Sequence, residues 1–179
     1  MKTTQILIAG FGGQGILFSG KFIAYKGLVE ELQVSWLPSY GPEMRGGTAN
    51  CNVILSDDPV GSPIITTPDV LIAMNAPSLQ KYVNTVAAGG QIYVDSSLID
   101  VKVERNDVQV FYIPATQMAK ENGIATLANM IIIGHLLENQ PELSFDGAEG
   151  VVDSLVPPKK AALKELNMKA LLLGKDYNK

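Results

Sequence analysis

The feature that most constrains this chain is a glycine run, Gly10-Phe11-Gly12-Gly13-Gln14-Gly15, set directly between an apolar segment and a helical pattern. Gln5 to Ala9 reads as a short buried strand. Ile16, Leu17, Phe18, Phe22, Ile23 and Leu28 then recur at helical spacing to about Glu31. Strand, glycine turn and helix in immediate succession open a βαβ unit. Glycines at 10, 12 and 15 permit a tight turn and let a ligand approach the backbone. The helix start then offers free N–H groups and the positive end of its dipole to a phosphate. The same spacing also serves tight strand–helix packing without a ligand, or contact with another protein.

The rest of the chain reads as one α/β domain over 1–179, with no repeat and no linker. Gln33 to Leu37 is a second strand. Ala49, Cys51, Val53 and Leu55 alternate with polar neighbours, which predicts a third strand with one apolar face. No crossover helix separates these two, so the pair is expected to be antiparallel and the mostly parallel sheet mixed. Further strands are expected at 69–74 and 91–95, with two short ones around Val101–Val103 and Val108–Tyr112. Helices are expected at 76–87, 115–121 and 127–138. A last helix is expected from Pro157 to about Leu173, with Leu163, Leu166 and Ala170 on one face, and a frayed polar tail over 174–179. The architecture predicted is a Rossmann-like three-layer domain.

A dinucleotide site would need an acidic residue about 20 positions beyond the glycines, at the end of the second strand. Here that strand carries Ser35, Trp36 and Leu37, and Glu30 and Glu31 fall before it. A nicotinamide enzyme is therefore disfavoured. The long loop Ser39 to Gly47 is the second candidate, because it follows a strand that ends beside the glycine loop. Its Arg45 could reach an anion, and Tyr40 could give apolar contact. Asn75 ends the fourth strand, where it is either a helix cap or part of the same crevice. Asp95, Ser96 and Ser97 end the next strand and have the same two readings.

Composition narrows the chemistry. The 14 Lys plus Arg against 18 Asp plus Glu give a net charge of −4, so nothing draws this chain to nucleic acid. The chain has one Cys and one His, which cannot make an intrachain disulfide, an iron–sulfur cluster or a usual zinc site. Cys51 reads as a small core residue and His135 as a structural histidine. Lys159 and Lys160 read as solvated. No membrane-spanning run or export signal is recognised, so the cytoplasm is the expected compartment.

Several segments together resemble the gamma subunit, or the corresponding domain, of 2-oxoacid:ferredoxin oxidoreductases. They are Gly10 to Gly15, Ser39-Tyr40-Gly41-Pro42-Glu43-Met44-Arg45-Gly46-Gly47-Thr48, Gly61-Ser62-Pro63, Ala73-Met74-Asn75, Asp95-Ser96-Ser97 and Asn129-Met130. The resemblance implies a complex that oxidatively decarboxylates a 2-oxoacid with coenzyme A, giving acyl-CoA, CO2 and reduced ferredoxin. Thiamine diphosphate and iron–sulfur clusters would sit on partner alpha and beta subunits, with a delta subunit in some members. This chain would be accessory and would dock coenzyme A. The site residues implied are Gly10, Phe11, Gly12, Gly13, Gln14, Gly15, Ser39, Tyr40, Arg45 and Asn75, with no catalytic residue and no metal ligand. The rival readings are a stand-alone dinucleotide-binding oxidoreductase and a ligand-free interaction module.

Overall fold

A computed structural model describes residues 2–39 and 48–177. The chain runs β1 (Thr3–Phe11), α1 (Ile16–Val29), β2 (Gln33–Ser39), β3 (Thr48–Ser56), β4 (Val70–Ala73), α2 (Ala76–Tyr82), β5 (Gln91–Asp95) and β6 (Gln109–Ile113). It continues through α3 (Ala115–Glu121), α4 (Ala128–Asn139), α5 (Ala148–Leu155) and α6 (Ala161–Lys175). One six-stranded sheet has the order β2-β3-β1-β4-β5-β6. β1, β4, β5 and β6 are mutually parallel. β3 lies between β2 and β1 and is antiparallel to both, which is the mixed sheet expected from the missing crossover.

Side-chain alternation sends each strand's apolar set to two unequal layers. One face carries Ile6, Ile8, Cys51, Val53, Ile72, Tyr93 and Ile113 under the helices α1, α3, α4, α5 and α6. The other carries Leu7, Leu71, Ala73, Ile92 and Val94 under Leu79 of α2 and Ile99 of the following loop.

Four expectations need correction. No strand forms at Val101–Val103. That segment stays irregular, with the Val103 N–H donating to the Tyr112 hydroxyl at 2.9 Å in place of a ladder partner. Helix α5 was not anticipated, although Ala148, Val151, Val152 and Leu155 have helical spacing; Ala148, Val151 and Val152 are its buried residues. The last helix begins at Ala161, after a 3-10 turn over Pro158–Lys160, and it buries Asn167, Ala170, Leu171 and Gly174. Leu163 and Leu166 instead remain 38% and 37% exposed. Small residues decide this face. A Cβ on Gly134 or Gly174 would strike the facing backbone at Leu171 or Ile131, so only glycines let α4 and α6 approach this closely. Nor is 174–177 a frayed tail, because the helix extends to Lys175 and the Tyr177 ring packs edge-on to His135 at 5.9 Å.

The two lone reactive side chains are structural. Cys51 is fully buried, its thiol donates to the Ile16 carbonyl at 3.4 Å, and burial pushes its pKa up to about 12. The Nδ1 of His135 meets the Gly174 carbonyl at 3.1 Å, and its ring lies edge-on to Phe111 at 5.3 Å.

Candidate functional site

The sheet order creates a topological switch point. From β1 the chain crosses through α1 to β2, and from β3 it returns to β4 on the other side of β1. The loops after β1 and β4 therefore diverge in opposite directions at the carboxyl edge, where open α/β sheets place ligands. The glycine loop and Asn75 are those two loops.

Inside the glycine loop the positions divide by role. A Cβ on Gly10 would stand 2.6 Å from Gln14 Oε1 and 2.9 Å from Met74 Cβ, so this glycine serves packing. Phe11 is 41% exposed at the loop's outer side. Gly13 has φ +91° and open space where a side chain would go, which leaves its backbone accessible. Gln14 is committed internally. Its Oε1 accepts from the Phe11 N–H at 2.7 Å and its Nε2 donates to the Met74 carbonyl at 2.9 Å, tying the two loops together.

Gly15 is the N-cap of α1 in the left-handed conformation, φ +74°, and supplies no side-chain cap. Its neighbour is Asn129 of α4, whose Nδ2 donates to the Gly15 carbonyl at 3.2 Å and to Ser19 Oγ at 3.0 Å. A Cβ on Gly15 would lie 2.5 Å from that Nδ2. The first turn of α1, at Ile16, Leu17 and Phe18, faces a cleft of about 300 Å³ shared with Phe11, Gly12, Gly13 and Ala49. The cleft thus has glycine backbone on one wall, the first turn of α1 on another, and the apolar side chains of Phe11, Ile16, Leu17 and Phe18 around them.

Asn75 is a cap. Its Oδ1 accepts from the Ser78 N–H at 2.8 Å. Its Nδ2 and the Ser78 hydroxyl are buried with no partner among the described residues. Asp95 is likewise a turn and cap residue, accepting from the Ser97 N–H at 3.1 Å and from Thr116 Oγ1 at 2.6 Å. Ser39 ends β2 opposite Asn50 at the same edge, and β2 carries no acidic residue that could hold a ribose. Tyr40 and Arg45 lie outside the described residues. The structure thus brings the glycine loop, Asn129 and Asn75 to one edge. The motif Asn129-Met130 marks this residue in the sequence but not its place beside the glycine loop. It reaches Gly15 from 114 positions away, and no local spacing encodes that approach.

Among the described residues no group of three His, Cys, Asp or Glu side chains could hold a metal ion. The single cysteine is buried and protonated, so this chain's donors do not fit an iron–sulfur cluster. No helix among the described residues is long and apolar enough to cross a membrane.

Fold and edge together define a doubly wound α/β domain with a glycine loop between β1 and α1 at the carboxyl edge of a mixed sheet. The chain belongs to the pyruvate ferredoxin/flavodoxin oxidoreductase family, whose profile matches residues 5–177. It is 35% identical over 179 residues to the 2-oxoglutarate synthase subunit KorC of Methanothermobacter marburgensis, covering 96% of this chain and 95% of that one. It is 34% identical to the ketoisovalerate oxidoreductase subunit VorA of the same organism, covering 98% of this chain but 37% of that one. The chain therefore spans little more than a third of that relative's length. Among solved structures it matches the gamma subunit of keto/oxoacid ferredoxin oxidoreductase from Geobacter sulfurreducens with a TM-score of 0.81 and 32% identity, over 96% of this chain and 95% of that one. It also matches 2-oxoglutarate:ferredoxin oxidoreductase from Magnetococcus marinus, a structure with 2-oxoglutarate, coenzyme A and succinyl-CoA bound. There the TM-score is 0.86 at 26% identity, covering all of this chain and 32% of that one. The resemblance carried by the glycine loop and the later motifs is borne out.

Proposed function

We propose that this chain is the gamma-type accessory subunit of a multi-subunit 2-oxoacid:ferredoxin oxidoreductase. The complex would oxidatively decarboxylate a 2-oxoacid with coenzyme A, releasing acyl-CoA and CO2 and reducing ferredoxin. The observation that carries this reading is a conjunction. The chain corresponds almost end to end to the KorC and gamma-subunit chains, and its one cysteine is buried with its thiol pKa pushed up to about 12. Thiamine diphosphate, which stabilises the carbanion when bound, and the iron–sulfur clusters belong on alpha and beta subunits, with a delta subunit completing the set.

The work left to this chain is to complete the assembly and to dock coenzyme A. The glycine loop, Gly10 to Gly15, forms the backbone cradle. Gly13 is its accessible point, Gln14 braces it against β4, and the uncapped first turn of α1 attracts the cofactor's phosphates. The same reading assigns Ser39, Tyr40, Arg45 and Asn75 to coenzyme A binding. The cytoplasm is the compartment this reading assigns.

The test is association. The purified chain, mixed with its thiamine- and cluster-bearing partners, should co-elute with them as one species. Separate elution at micromolar concentration would sink the proposal. Tight NAD or flavin binding by the isolated chain would favour a dinucleotide enzyme instead.

A further inference from the structure

We propose that the outer face of α6 docks a second copy of this chain, the two α6 helices crossing antiparallel about a two-fold axis beside Leu172. This contact is separate from the glycine loop and goes beyond the subunit role above.

Helix α6 buries Asn167, Ala170, Leu171 and Gly174. Its opposite face carries Glu165, Lys169, Leu172 and Asp176, all exposed, with Leu172 at 45%. Beside Leu172, Met118 of α3 joins Met168, Leu173 and Tyr177 to line an open, mainly apolar groove of about 660 Å³. The charges on its rim decide what fits it. Lys169 stands three residues before Leu172 and Asp176 four after it, about two helical turns apart and therefore on one face. Among the described residues neither has an ion-pair partner. The Lys169 ammonium donates to the Asn122 carbonyl at 2.8 Å and has further donors to give. One cation and one anion spaced evenly about an apolar centre complement the same face turned end for end. An antiparallel second α6 sets each Lys169 opposite the other copy's Asp176, so one ion pair forms twice, as in any isologous contact. It also brings Leu172 onto Leu172 and Leu173, and Met168 towards Tyr177. An acidic or a basic partner would match only one of the two charges and set the other against its like. Glu165, one turn earlier, maps past the end of the facing helix and takes no part. A contact built on one helix pair lies at the low end of interface sizes, which places its dissociation constant on the order of 10 μM.

Sedimentation velocity of the full chain, from roughly 1 to 200 μM, tests this. The monomer should convert to a dimer across that range. Leu172→Lys should abolish the dimer and keep the fold, because the side chain it replaces is already exposed. Lys169→Asp and Asp176→Lys should each weaken association about tenfold, since either one sets like charges against each other twice. Mixing these two variants should restore it, because the unlike pair regains both ion pairs, whereas mixing cannot mend a folding defect. Leu28→Lys, on the outer face of α1, should leave the dimer unchanged. A chain that stays monomeric throughout would overturn the proposal. So would a dimer indifferent to Leu172→Lys, a dimer lost equally in Leu28→Lys, or a mixture that does not recover. If the native chain is monomeric and Leu172→Lys instead stops it co-eluting with the thiamine- and cluster-bearing subunits, the groove belongs to those partners. The second copy is then overturned and the subunit role stands.

Discussion

The Gln14 side chain donates from Nε2 to the Met74 carbonyl at 2.9 Å while its Oε1 accepts from the Phe11 N–H at 2.7 Å. One amide therefore spans the two loops that diverge at the switch point. Its donor and acceptor ends are both required, so no apolar residue can replace it. Gln14→Ala should lower stability by about 1–3 kcal/mol, the cost of leaving such backbone groups unpaired. Gln14→Glu should be no better near neutral pH, because a carboxylate oxygen would face the Met74 carbonyl. Urea unfolding of both variants checks this, and an effect below about 0.5 kcal/mol for Gln14→Ala would remove the bridge from the account.

The second prediction concerns the α4–α6 contact. A Cβ on Gly134 would run into the backbone of Leu171, which is not the end of a flexible side chain and cannot yield. Gly134→Ala should cost about 3 kcal/mol despite alanine's better helix propensity. Thermal unfolding decides it, and a neutral or stabilising outcome would mean the helices pack differently.

The glycine pair also marks where the sequence was legible and where it was not. Strands with clean alternation, such as Ala49–Leu55, and the opening β1–loop–α1 unit could be read directly, because local periodicity and burial agree there. The buried face of α6 could not. Leu163, Leu166 and Ala170 suggest one stripe, of which only Ala170 is buried, while the packing follows Asn167, Ala170, Leu171 and Gly174, since close backbone approach outweighs side-chain apolarity. At the site, the glycines and the Asn75 cap follow from local rules. Asn129 does not, because its role exists only once α4 lies across the start of α1.

His135 supplies a pH dependence. Burial holds its pKa below the usual 6.5, with the Gly174 carbonyl and Glu138 only partly opposing that. Because that carbonyl only accepts, the Nδ1–H tautomer must be present in the fold. A depressed folded pKa means the contribution is fully present above about pH 6.5 and is lost as pH falls through the folded value. Stability against urea should decline below pH 6.5, and His135→Phe should flatten that part of the profile. An unchanged slope in the variant would assign the decline to other groups.

Cys51 should be silent in the native state. With the thiol buried and its pKa near 12, a thiol reagent at pH 8 should label it only after unfolding. Its stabilising contribution is present below about pH 9, the unfolded value, and is lost as pH rises towards 12. Rapid labelling of folded protein would contradict the burial on which its structural role rests.

The most direct test of the central claim is acyl-CoA formation by the partner subunits with this chain left out and then added back. 2-oxoacid- and coenzyme A-dependent acyl-CoA formation, coupled to ferredoxin reduction, should be lost without the chain and return in proportion to the amount added until the partners are saturated. Full activity in its absence would contradict the subunit role.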